Sequence, residues 1–208
     1  MVFPWGFYYC NLNYASLSMP KSLQKYFVAI VPPEEVQAQA QEIKEAVRDK
    51  YNAKHALKSP AHVTLKMPFV WNEFKEDKLR ALLEAFFKDQ PSFPLEFKGI
   101  GRFGRRIMYA RVHGGDPLTS MQEAFSQYCK RELKLNVELS DKAFTPHVTL
   151  VYSDLKKRFF DECWAMLKEK GFYGKMEVQQ VALLKKVDFR WQVLAMIPMA
   201  MDTTGIQD

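Results

Sequence analysis

The tetrapeptide His-Val-Thr-Leu occurs twice in the chain, at 62–65 and again at 147–150, and the order of elements around it recurs as well. The first pass begins with the apolar, β-branched run Tyr26–Val31, stopped by Pro32 and Pro33. Pro33 presets φ, and Glu34 and Glu35 face the positive end of the helix it opens. Val36, Ala40, Ile43 and Val47 then recur at helical spacing. A strand over 62–67 ended by Pro68, a helix over 74–88 and a strand over 93–99 complete the unit. The second pass reads as a strand over 106–112, a helix capped by Asp116 and opened by Pro117, and a strand over 147–152. A helix over 156–170, stopped by Gly171, and two long strands over 176–186 and 190–197 follow. The motifs His62 and His147 are 85 residues apart and the helix openings Pro33 and Asp116 are 83 apart, which indicates an internal duplication with a period longer than that of solenoid repeats. The pattern predicts one α+β domain over 21–200, its lobes roughly 21–100 and 101–200, related by an approximate two-fold. Residues 1–20 read as a peripheral N-terminal extension and 201–208 as a flexible tail.

Composition excludes several classes. At 48% hydrophobic, the 208 residues carry enough apolar side chains to outweigh chain entropy, so a collagenous, low-complexity or disordered chain is ruled out. No run approaches the roughly 18 apolar residues of a membrane span. The N-terminal segment holds six aromatic residues (Phe3, Trp5, Phe7, Tyr8, Tyr9, Tyr14) but lacks the charged start and continuous apolar core of a signal peptide. Met19 is a natural start just before the first strand, so residues 1–18 are expected to be dispensable. Cys10, Cys129 and Cys163 are far apart with no CxxC pair, which removes a zinc ribbon or thioredoxin-like site and fits reduced thiols in a cytoplasmic protein. A net charge of +6 favours anionic partners without the dense basic tracts of nucleic-acid coating proteins.

The four histidines are His55, His62, His113 and His147. On a strand, residues i and i+2 share a face, so His62 stands beside Thr64 and His147 beside Thr149, with Val63, Leu65, Val148 and Leu150 behind them in the core. A two-fold would bring two imidazoles and two hydroxyls into one cleft. Phosphodiester chemistry uses such a set: imidazole serves as acid or base near neutral pH, and the hydroxyls hold the non-bridging oxygens. Lys66, at i+4 from His62, is read as sharing that face and contacting phosphate. Phe69, Trp71 and Tyr152 are candidates to stack a base at the cleft edge. Lys98, Arg102, Arg105, Arg106 and Arg111, interspersed with Gly99, Gly101 and Gly104 and no acid, read as a basic hairpin. His55 and His113 lack the Thr partner at i+2. A zinc site would need a third ligand, which no HExxH or comparable spacing supplies, and no GxSxG elbow appears.

With these residues in view, the sequence resembles the 2H phosphoesterases, in the 2′-5′ RNA ligase-like and cyclic phosphodiesterase branch. The resemblance runs from about Lys25 to Ile197. It rests on YFVAIVPPEEV, AHVTLKMPF, FTPHVTLVYS and the paired C-terminal strands. It implies two antiparallel sheets facing a central cleft with helices outside, and metal-independent work on 2′,3′-cyclic or 2′-5′-linked phosphates with no cofactor. His62 and His147 match the acid/base pair, and Thr64 and Thr149 the phosphate-binding hydroxyls. In hydrolysis the resemblance gives His147 the role of activating water and His62 that of protonating the leaving ribose oxygen, roles that exchange in the reverse direction. The expected partner is an RNA end or nucleotide carrying such a phosphate, bound by a monomer with no membrane. The alternatives are a non-catalytic RNA- or nucleotide-binding module using the same cleft, and a phosphoesterase for a non-nucleic-acid cyclic phosphate.

Overall fold

The apolar run of the first strand is buried on both faces. Tyr26, Val28 and Ile30 enter the main core under the helices, while Phe27 and Ala29 join a small cluster on the opposite face with Ala182 and Leu184. The structure is a computed structural model that describes residues 22–200; the N-terminal extension and the C-terminal tail of the sequence reading lie outside the described residues. The elements are β1 (Leu23–Ile30), α1 (Glu34–Tyr51), a 3₁₀ turn (His55–Lys58), β2 (Val63–Asn72), α2 (Glu76–Phe87), β3 (Phe93–Phe103) and β4 (Ile107–His113). They continue with α3 (Gly115–Arg131), the short α4 (Leu139–Lys142), β5 (His147–Val151), α5 (Phe160–Lys170), β6 (Tyr173–Val178), β7 (Gln180–Val187) and β8 (Arg190–Pro198).

The mixed α+β class holds, but the strands form one eight-stranded antiparallel sheet instead of two, in the order β6-β3-β4-β5-β2-β1-β7-β8. Its halves meet at a single pair, Val63 opposite Val148, so the two motif strands are the seam. The halves of the sheet do not follow the halves of the chain. β3 pairs with β4 and β6, whereas β7, from the far end of the sequence, pairs with β1 and β8. The helices cross over in the same way: α2 and α3 lie on the half that holds β2 and β8, α1 and α5 on the half that holds β3, β5 and β6. The strand predicted over 176–186 therefore breaks at Gln179, where the chain leaves β3 for β1.

Two bulges alter the alternation expected in β2. Thr64 lies opposite Ala29, but Lys66 lies opposite Val28, and Phe69 opposite Tyr26. Each irregularity gives β2 one extra residue against β1. The second bulge accommodates Pro68, which lacks an amide to donate, so the strand continues to Asn72 instead of ending at the proline. β5 carries the same device: Thr149 faces Tyr109 and Val151 faces Met108. Gly171 ends α5 with φ 68, as the sequence predicts.

Candidate active site

The two motif histidines stand at the seam of the sheet, His62 immediately before β2 and His147 as the first residue of β5. Both are half-buried. Each ring is held the same way. Nδ1 of His62 lies 2.8 Å from the carbonyl oxygen of Pro60, and Nδ1 of His147 lies 2.7 Å from that of Thr145. A carbonyl can only accept, so each Nδ1 carries the proton and each Nε2 is left with its lone pair for chemistry. Aromatic rings wall both imidazoles. Phe27 packs on His62 at 4.8 Å and is itself met edge-on by Trp191; Tyr109 and Phe103 pack on His147 at 5.2 and 5.0 Å. Gly101, across the ladder from Tyr109, makes room for that ring, because a Cβ there would sit 2.4 Å from it.

Desolvation among these rings lowers both imidazole pKa values, that of His62 to about 4. The positive charge of Lys44 and that of a protonated His147 push His62 further in the same direction, which places both groups within electrostatic reach of it. Lys44 is 2% exposed on α1, and its ammonium donates to the Ser59 carbonyl at 3.1 Å. Burial lowers its own pKa to about 8. The sequence reading missed Lys44; the signal was its place at i+4 from Ala40, inside the apolar stripe of the helix.

Thr64 and Thr149 are half-buried on the cleft face, Thr64 opposite Ala29 of the cleft-side cluster. Tyr152 reaches back to hydrogen-bond Thr149, and burial raises its phenol pKa. Thr64 and His147 line one cavity of about 230 Å³, closed on its other sides by Leu65, Met67, Phe103 and Phe144. The structure thus brings His62, Thr64, His147, Thr149 and Tyr152 together.

Lys66, Phe69 and the basic hairpin are placed otherwise. The first bulge turns Lys66 to the helix side, opposite core residue Val28, where it is 2% exposed and donates to Asp141 at 2.5 Å and to the Asn136 carbonyl at 2.7 Å. Its phosphate contact is therefore replaced by an ion pair that holds the segment before β5. Gln122 donates to the Leu65 carbonyl inside the same bulge, at 3.4 Å. Phe69 is buried against Tyr26 instead of lying at the cleft edge, and Trp71 is half-buried with its indole donating to the Lys75 carbonyl. In the hairpin, Arg102 lies over Phe160 and Trp164, and Arg105 pairs with Asp161. Arg111 is opposite His147, with its Nε donating to the Ile100 carbonyl. Cys129 and Cys163 are buried, and burial pushes both thiols up to about 12. Among the described residues no group of three His, Cys, Asp or Glu side chains converges to hold a metal, and no helix is long and apolar enough to cross a membrane.

The sequence profile of the 2′-5′ RNA ligase superfamily matches residues 32–188. An RNA 2′,3′-cyclic phosphodiesterase of Thermotoga maritima is 28% identical over 160 residues, covering 73% of this chain and 80% of that protein. Two solved structures share the fold over 86% of this chain and 99% of theirs. They are a protein of Thermus thermophilus, at TM-score 0.60 and 19% identity, and E. coli LigT complexed with 3′-AMP, at 0.57 and 19%.

Proposed function

The chain belongs to the 2′-5′ RNA ligase superfamily, and from that premise we propose that it is a phosphodiesterase acting on 2′,3′-cyclic phosphates or 2′-5′ linkages of RNA ends or nucleotides. The observation that carries the reading is the matched pair of imidazoles at the seam, each with Nδ1 tied to the backbone and Nε2 free. One Nε2 takes the proton of water as its oxygen bonds to phosphorus. The other gives a proton to the ribose oxygen as the phosphorus–oxygen bond breaks, so proton and electron pairs balance with no further reactant. Thr64 and Thr149 donate to the non-bridging oxygens, where charge builds up. Tyr152, beside Thr149, offers a ring for a base to stack on. With His147 as the base and His62 as the acid, the bound phosphate anion must lift His62 from about 4, and a negative charge beside the ring acts in that direction.

Purified protein in EDTA should open a nucleoside 2′,3′-cyclic phosphate. His62→Ala and His147→Ala should each lower turnover by about 10²- to 10⁴-fold, the usual worth of one acid or base. A rate that survives either substitution removes the two-histidine mechanism. Binding of an RNA end without product over long incubation would instead establish a non-catalytic module. Phosphorus NMR of the products from a panel of cyclic and 2′-5′ phosphates separates nucleic-acid from other diesters.

A further inference from the structure

A second cavity, of about 260 Å³, adjoins the motif pair and shares no lining residue with the first. It touches the site at two points: Tyr152 in its wall hydrogen-bonds Thr149, and Trp191 meets Phe27, which packs on His62. Its character is different from that of the first cavity. Lys58, from the 3₁₀ turn, and Lys186, from β7, supply cations, and Phe189 and Trp191 supply apolar wall. Lys186 lies over the Trp191 ring, 6.0 Å from its centre.

These two lysines are uncommitted, unlike the neighbouring Lys185. On the opposite face of β7, Lys185 is engaged by Glu73 and Glu76. Among the described residues neither Lys58 nor Lys186 has a carboxylate partner. Asp154 accepts from the backbone amides of Lys54 and His55 and lies 4.0 Å from the His55 ring of the cavity wall. Two unpaired ammonium groups in an aromatic-walled cavity make a site for a phosphate.

Resting on the two-histidine reading above, we infer that this cavity is an anion subsite for a second phosphate, the one on the 5′ side of the nucleoside whose reacting phosphate lies between the imidazoles. A nucleoside 2′,3′-cyclic phosphate has no group to place there. A nucleotide that continues into an RNA chain, or ends in a 5′-phosphate, does. The preferred substrate is therefore the end of an oligonucleotide.

Titration calorimetry with 3′-AMP and with adenosine 3′,5′-bisphosphate tests the inference on the intact chain. The bisphosphate should bind about tenfold tighter, as expected for added charge-assisted hydrogen bonds, and its affinity should fall more steeply with salt. In the double variant Lys58→Ala, Lys186→Met the ratio should collapse to about one, whereas Lys58→Arg, Lys186→Arg should keep it. Residual 3′-AMP binding reports that each variant is folded. Equal affinities in the unsubstituted protein, or a difference that persists in the first double variant, would overturn the subsite. Turnover of adenosine 2′,3′-cyclic phosphate, measured alongside, judges the catalytic reading separately. If it is absent while the bisphosphate preference depends on the lysines, the mechanism fails and the anion site stands.

Discussion

An imidazole is useful as a proton carrier only if it offers the right nitrogen, and here the backbone makes that choice. The carbonyls of Pro60 and Thr145, two residues before each histidine, fix the tautomer with no carboxylate involved. The electrostatics then set the pH dependence. A base fails below its pKa because it is protonated, and an acid fails above its pKa because it is not. Both imidazoles are depressed in the free protein, so the bell of kcat/KM, which reports the free enzyme, should be centred below 6.5. The bound phosphate raises both, so the optimum of kcat should lie at higher pH than that of kcat/KM. Coinciding optima would count against the scheme. Lys44→Met removes a positive charge that disfavours His62 protonation and should move the His62 limb to higher pH; His147, across the seam, is the other charge acting on it. An unmoved limb would reduce Lys44 to packing. The four motif residues were legible because a tetrapeptide that recurs in a duplicated chain carries its own control. Lys44 was harder to see, because a lysine in a helix usually carries its charge to solvent.

The motif strands show what period-two reasoning captures and where it stops. Alternation places His62, Thr64, His147 and Thr149 correctly, with Val63, Leu65, Val148 and Leu150 behind them in the core. It fails one residue later in each strand, because a bulge puts Leu65 and Lys66, and likewise Leu150 and Val151, inside together. A bulge leaves no mark in β2 that distinguishes Lys66 from a cleft residue; its cause is the register against β1. The second bulge, at Pro68, turns Phe69 back to the core, and the shift in β5 returns Tyr152 to the cleft. Buried in this way, Lys66 becomes an anchor: through Asp141, which also accepts from the Glu138 amide, it holds α4 beside the first cavity. Lys66→Met leaves Asp141 buried without its cation and should cost about 3–5 kcal/mol in chemical denaturation. Replacing both partners, Lys66→Met with Asp141→Leu, should recover most of that loss. Equal stability of the single variant and the parent would show that the pair holds nothing.

At the scale of the whole molecule, the duplication is real in sequence and exchanged in space. The element order was readable because each pass repeats the other. The exchange was not, since the stretch from Met176 to Lys186 holds no glycine or proline to mark where one strand ends and the next begins. Each half of the sheet draws strands from both halves of the chain, so neither half-chain contains a complete half-sheet. Fragments 22–104 and 105–200 should each lack cooperative unfolding alone and regain it when mixed, a result readable by circular dichroism. A fragment that folds by itself would contradict the exchange. The same arrangement bears on how the protein is made. β1, whose Tyr-Phe-Val-Ala-Ile run carries no charge, leaves the ribosome long before its neighbour β7. In that interval one side of the strand is an open, sticky edge, the kind of segment that pairs with other chains. Yield in a cell should therefore depend on elongation speed and on chaperones that shield nascent chains, far more than the stability of the finished protein would suggest.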